Sequence, residues 1–141
     1  YGKDPKSGEI FVHIEPAVGG WGATSTRDGT AALIATTDGD TYNYSVELFE
    51  AKFPLYIRQY ALNIAEGVGE GRYRGGFGAV REFEILADEA FTYASFGRTV
   101  EPPWGLRGGA SGSCNFMEIE SGGETRRVAR IPYHEIGRAH V

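Results

Sequence analysis

Apolar and polar residues alternate most cleanly in "FGAVREFEIL", residues 77–86. Phe77, Ala79, Phe83 and Ile85 share one face, and Val80, Glu82 and Glu84 share the other, which predicts a half-buried strand. "LYIRQYALNI" (55–64) predicts a strand with aromatics on one face, and "AFTYASFGR" (90–98) another after the turn "ADE". "IFVHIEP" (10–16) reads as a strand stopped by Pro16, and "AALIATT" (31–37) as a short buried one. "CNFMEIES", a Gly122–Gly123 turn and "TRRVARIP" predict a closing hairpin. Helical spacing occurs once, in "SVELFEAKFP", where Val46, Phe49 and Phe53 recur on one side. Asn43 or Ser45 is placed to cap that helix, and Pro54 ends it. The pattern predicts a mainly β fold (β-rich α+β): antiparallel sheets with one short helix.

Composition changes the picture in the segments between these elements. The 141 residues include 21 glycines, roughly twice the usual share of about 7%. They gather in "AVGGWGATSTRDGT" (17–30), "EGVGEGRYRGGFG" (66–78) and "TVEPPWGLRGGASGS" (99–113). Eight Tyr, eight Phe and two Trp accompany them, which argues for a packed β-rich core and against disorder. The middle segment is not a phosphate loop, because neither G-x-x-x-x-G-K-[ST] nor G-x-G-x-x-G is met. Two readings stay open for it. Its glycines let backbone pack on backbone between strands. Alternatively, its amides and Arg72 and Arg74 line a site, since a guanidinium binds carboxylate or phosphate bidentately.

Other chemistry is thin. "GGASGS" is not G-x-S-x-G, so no hydrolase nucleophile of that kind is present. Cys114 opens a predicted strand and reads as a small core residue. No pair among His13, His134 and His140 has zinc-site spacing. Asp28 in "STRDGT" suits a ligand, a general base or a turn-forming Asp-Gly. Trp21 and Trp104 each sit among glycines, as cavity wall or as plug over the core.

A net charge of −5 gives no footprint for nucleic acid. The longest apolar run is "AALIA", too short for a helical span, so no membrane is expected. With no signal peptide visible, the single Cys114 fits a cytoplasmic location. The chain starts at Tyr1, in "YGKDPKSGEI". The closing "EIGRAHV" is spelled, in one frame, by a common sequencing adapter. Residues 136–141 therefore read as adapter-encoded, with Glu135 overlapping, and residues 1–135 as protein.

Taken in order, the motifs are specific. "GGWGA…RDG…N-x-x-VE-x-x-E-x-x-FP…Y-x-L…G-x-G-RYRGGFG…R-x-x-x-PPWGL-x-GG-x-x-G" resembles the hydantoinase B/5-oxoprolinase family, which includes N-methylhydantoinase, caprolactamase, 5-oxoprolinase, and acetone and acetophenone carboxylases. Six landmarks fall in register from about Gly2 to Ile131. By this resemblance Gly19, Gly20, Gly22 and Ala23 match one glycine loop, and Asp28 and Gly29 its Asp-Gly. Asn43, Val46, Glu47, Glu50, Phe53 and Pro54 match the helix. Arg72, Arg74, Gly75, Gly76 and Gly78 match the arginine-glycine hallmark. Arg98, Pro102, Pro103, Trp104, Gly105, Gly108 and Gly109 match the later loop. The family's Asp-Ser-Gly-Gly-Ala-Gly ahead of the hallmark is replaced by residues 66–71, "EGVGEG", which points to a different substrate.

The resemblance implies a C-terminal part of a B-type subunit, within a larger domain, of an ATP-dependent cyclic amide hydrolase. As the runner-up it permits an ATP-dependent ketone carboxylase, and a noncatalytic β-rich binding domain is the rival from another class. It implies a divalent metal held in an N-terminal part and ATP with Mg on a hydantoinase A-type partner, with no cofactor or metal bound by these residues and no activity in them alone. A hetero-oligomer acting on a small cyclic amide follows. Catalytic residues are not assigned; Gly19, Gly20, Trp21, Asp28, Arg72 and Arg74 are the expected pocket-lining or substrate-binding set. One of the two arginines is expected to anchor on Glu47 or Glu50.

Overall fold

The computed structural model describes residues 1–39 and 41–128, and the backbone of 131–136. Eight strands and one α-helix follow in order: β1 (Gly2–Lys3), β2 (Ile10–Phe11), α1 (Val46–Lys52), β3 (Leu55–Asn63), β4 (Gly78–Ile85), β5 (Ala90–Ala94), β6 (Met117–Ser121), β7 (Glu124–Val128) and β8 (Ile131–Ile136). All strand pairs are antiparallel. One sheet has the order β2-β1-β5-β8, and β3–β4 and β6–β7 are two-stranded ribbons.

The core forms where the helix meets the long ribbon. Ser45 caps α1 by accepting the Leu48 amide, so an otherwise unpaired N–H of the first turn is satisfied. That start puts Phe49 on the inner side, where it is fully buried. Phe53, Leu55, Ile57, Ile85, Ala87, Ala90 and Ile119 are buried with it. The chain turns at Pro54 from α1 straight into β3, and the Leu86 amide donates to the Pro54 carbonyl, which closes the ribbon's end. The β6–β7 hairpin turns on Gly122 and Gly123, both at positive φ (62° and 80°), the backbone that a two-residue hairpin turn demands.

Two expected strands are shorter than the sequence pattern suggests. In "IFVHIEP" only Ile10 and Phe11 join a ladder, because their partner β1 is two residues long. "AALIATT" is no strand. Ala32 adopts φ 48°, which breaks the extended run. Its neighbour Leu33 makes one isolated bridge to Gly19, and Thr36–Asp38 forms a 3-10 turn. β8 reaches Ile136, whose backbone pairs with Ala90, so an ordered strand includes the first residue of the segment read as adapter-encoded. The rest of that segment, 137–141, lies outside the described residues.

Candidate functional site

The three glycine-rich segments come together as one layer joined by main chain. Trp21 donates to the Thr30 carbonyl, and Gly76 donates to the Trp21 carbonyl. The Gly29 amide donates to the Arg74 carbonyl, and Ala32 to Phe77. The middle segment then meets the third, where Ala110 donates to the Glu70 carbonyl and Ser113 Oγ to that of Gly67. A Cβ on Gly20 would overlap the Gly76 carbonyl, and one on Gly105 would overlap that of Gly109. Backbone approach of this kind admits only glycine.

Five of the six expected site residues sit in this layer together. Gly19 pairs with Leu33, and Trp21 Nε1 donates to the Ile34 carbonyl at 3.2 Å. Asp28 holds Arg74 twice: Oδ1 accepts the Arg74 amide at 3.0 Å, and Oδ2 lies 3.5 Å from Nε. Arg74 Nη1 also donates to the Gly75 carbonyl, and its guanidinium lies over Phe77. Arg72 stands apart. It is exposed, lies over the Tyr73 ring at 5.6 Å, and forms no ion pair with a described carboxylate.

The arginine anchor is thus not the expected one. Neither Glu47 nor Glu50 meets Arg72 or Arg74. Glu50 accepts the Ile57 amide at 2.9 Å, which ties α1 to β3. The Glu47 carboxyl is held below its ordinary range by its own backbone amide and by the Ser45 hydroxyl. Both glutamates are engaged at α1 and its junction with β3, and Asp28 of the first glycine loop takes Arg74.

Beside the layer lies an open cleft of about 300 Å³, walled by Pro16, Val18, Leu33, Ile34, Asn43 and Tyr60. The bridge at Gly19 and the Trp21 bond to Ile34 form its border with the glycine loops. Its volume is at the lower end of small-molecule sites, and its wall, apolar at Val18, Leu33 and Ile34 and polar at Thr41, Asn43 and Tyr60, suits a small polar ring.

One charged cluster was not picked out from the sequence. Arg81 lies on β4 with its guanidinium over Phe49 (4.7 Å) and Tyr60 (4.9 Å). It binds Glu15, whose Oε2 also lies 3.0 Å from His13 Nε2. The three side chains are only 11%, 19% and 10% exposed. Strict alternation puts Arg81 on the inward face with Phe83 and Ile85, and a charge at such a position signals a buried partner.

Among the described residues, no group of three or more His, Cys, Asp or Glu side chains is arranged to hold a metal. The His13–Glu15 pair does not fit one, because Arg81 already occupies the carboxylate. No helix among the described residues is long and apolar enough to cross a membrane.

The family model for hydantoinase B/oxoprolinase matches residues 1–138. The chain is 30% identical over 122 residues to the putative B subunit of a D-/L-hydantoinase of Pseudomonas sp. (strain NS671), covering 86% of this chain and 20% of that protein. It is 30% identical over 120 residues to the beta subunit of caprolactamase of Pseudomonas jessenii, covering 82% and 20%. It is 30% identical over 101 residues to 5-oxoprolinase of Dictyostelium discoideum, covering 72% and 8%. The match thus spans a fifth or less of each of these relatives. No solved structure matches. With the motif loops assembled in one layer and residues 1–138 of its 141 matched by the family model, the chain belongs to the hydantoinase B/oxoprolinase family.

Proposed function

We propose that these residues are the C-terminal part of the B-type subunit of an ATP-dependent cyclic amide hydrolase, and that they supply a wall of its substrate pocket. The observation that carries this reading is the common chemistry in the relatives' names. A hydantoin, a caprolactam and an oxoproline are all cyclic amides. Such an amide is stable in water, and ATP-dependent activation makes its opening favourable. In this reading ATP and Mg belong to a hydantoinase A-type partner, and a divalent metal to the rest of the B-type subunit. The complex is a hetero-oligomer located in the cytoplasm.

The chain's own residues have narrower tasks. The cleft walls at Val18, Leu33 and Tyr60 pack the apolar part of a ring and exclude water from it. Asp28 fixes Arg74, which holds the hallmark loop against the first glycine loop. Arg72, which pairs with no carboxylate among the described residues, is a group available to an anion, either the carboxylate released on ring opening or a phosphoryl group. Arg74 is therefore a positioning residue and Arg72 a binding one.

The test is an ATP-dependent ring-opening assay over a panel of hydantoins, lactams and 5-oxoproline, using the full B-type subunit with its A-type partner. Turnover of at least one cyclic amide is expected. Arg72→Ala should raise KM or lower kcat by about tenfold or more, as loss of a charge-assisted contact of roughly 1.5–3 kcal/mol implies. No ring opening anywhere on the panel, together with carboxylation of a ketone, would sink the hydrolase reading.

A further inference from the structure

We infer that residues 10–15 form a docking edge for an extended, alternately apolar segment of the same B-type polypeptide, which joins it as an added β-strand. The inference rests on the subunit reading above. β2 is the outermost strand in the order β2-β1-β5-β8. Its pairing with β1 ends at Phe11. Past that point, the main chain of residues 13–15 makes no hydrogen bond with the described residues.

This open segment is nevertheless held in place from within. The His13 ring lies 4.8 Å from both Phe49 and Phe53. Glu15 is held by Arg81 with the His13 ring beside it, and Asn43 Nδ2 donates to the Pro16 carbonyl at 3.2 Å. The opposite face carries Ile10, Val12 and Ile14, exposed by 78%, 59% and 87%. The result is an ordered backbone with free donors and acceptors and a row of three β-branched apolar side chains. Added-strand recognition uses this combination, main-chain bonds giving affinity and alternate side chains giving register. Native proteins cover such an edge, because left open it aggregates.

Two observations favour the same polypeptide as occupant. The relatives extend far beyond the matched region, which is only 8% to 20% of their length. The chain exposes 9555 Å², against roughly 7,100 Å² expected for a globular monomer of its mass. A second copy is disfavoured by charge, since each brings −5. A polar occupant would leave the Ile10, Val12 and Ile14 row uncovered.

Hydrogen exchange at the amides of His13, Ile14 and Glu15 tests this, in the isolated 141-residue chain and in the full-length subunit. Exchange on the order of 100-fold slower in the subunit is expected at Ile14, whose amide follows the outer edge of β2, because a paired amide opens only with its strand. Consecutive amides of a strand point to opposite edges, so those of the neighbours His13 and Glu15 face the β1 side. Ile14→Lys should leave the melting temperature of the isolated chain unchanged and raise its solubility, while lowering the melting temperature of the full subunit. Three results overturn the inference: equally fast exchange in both proteins, slowing in the isolated chain that grows with its concentration (a second copy), and slowing in the subunit only when the A-type partner is added. If the flanking coding sequence carries no further B-type region, the subunit reading falls and takes this inference with it. If that region is present and the amides still exchange fast, only this inference fails.

Discussion

Arg81 illustrates how much one side chain decides. Its guanidinium lies over Phe49 and Tyr60 and out of bulk water, so its charge depends on Glu15. Removing the carboxylate strands a buried cation. Glu15→Ala should therefore cost roughly 3–5 kcal/mol of unfolding free energy, read as a lower urea midpoint. Replacing both partners together, Glu15→Leu with Arg81→Met, should recover most of that, since no charge is then left unpaired. A double mutant no more stable than Glu15→Ala would show that the pair is not the unit. Neither partner is legible by sequence distance, because 66 positions separate them. The Asp28–Arg74 pair was missed for the same reason, being formed only when two distant loops close on each other.

Elements were legible where the pattern was long and obeyed one period. α1 and β4 follow their apolar spacing, and the β6–β7 hairpin follows its Gly-Gly turn. β3 does not keep its aromatics on one face, because a register shift between Ile57 and Gln59 sets Tyr56 opposite Glu84 and Tyr60 opposite the inward Arg81. "AALIATT" has strand composition, but Ala32 sits at positive φ with its amide donating to the Phe77 carbonyl, and the extended run breaks there. The start of α1 is likewise local chemistry. Ser45→Ala removes the acceptor for the Leu48 amide and should cost about 1 kcal/mol by thermal or urea unfolding. Glu47 adds a pH signature. Its folded pKa is depressed, so its contribution is present above its unfolded value and is lost as pH falls through the lower folded value. Glu47→Gln should flatten that part of the acid limb, measured as melting temperature against pH. The glycine layer makes a sharper test. Gly20→Ala would drive a Cβ into the Gly76 carbonyl, whereas Gly22 has open space around it. Gly20→Ala should thus cost at least the roughly 1–3 kcal/mol typical of overpacking, and Gly22→Ala little. Equal effects at both positions would mean that the layer does not pack as described.

At the scale of the molecule, surface outweighs core. Eight apolar side chains are buried among the described residues, and two of them are alanines. Ile10, Ile14, Tyr42, Val100, Trp104 and Leu106 are exposed by 65% or more. The accessible area exceeds that of a compact monomer of this mass by roughly a third. Among the described residues folding therefore hides little apolar area, and the entropy of ordering them is opposed by a small core. The isolated chain should unfold at low urea, with a denaturant slope below that of a compact domain of its length, and it should bind a hydrophobic dye in the absence of denaturant. It should also lack turnover with ATP and any cyclic amide. Among its described residues Arg72 is a candidate anion-binding donor, but no metal cluster and no activated nucleophile stands beside it to stabilise a transition state. Stability and activity should return together when the same residues are expressed within the full subunit and mixed with the A-type partner. Parallel urea titrations, dye binding and ring-opening assays on the chain, the subunit and the pair check this. A sharp, high-urea transition without dye binding in the chain alone would show that it is a self-sufficient domain, and turnover by it alone would place the chemistry here and not in the rest of the subunit.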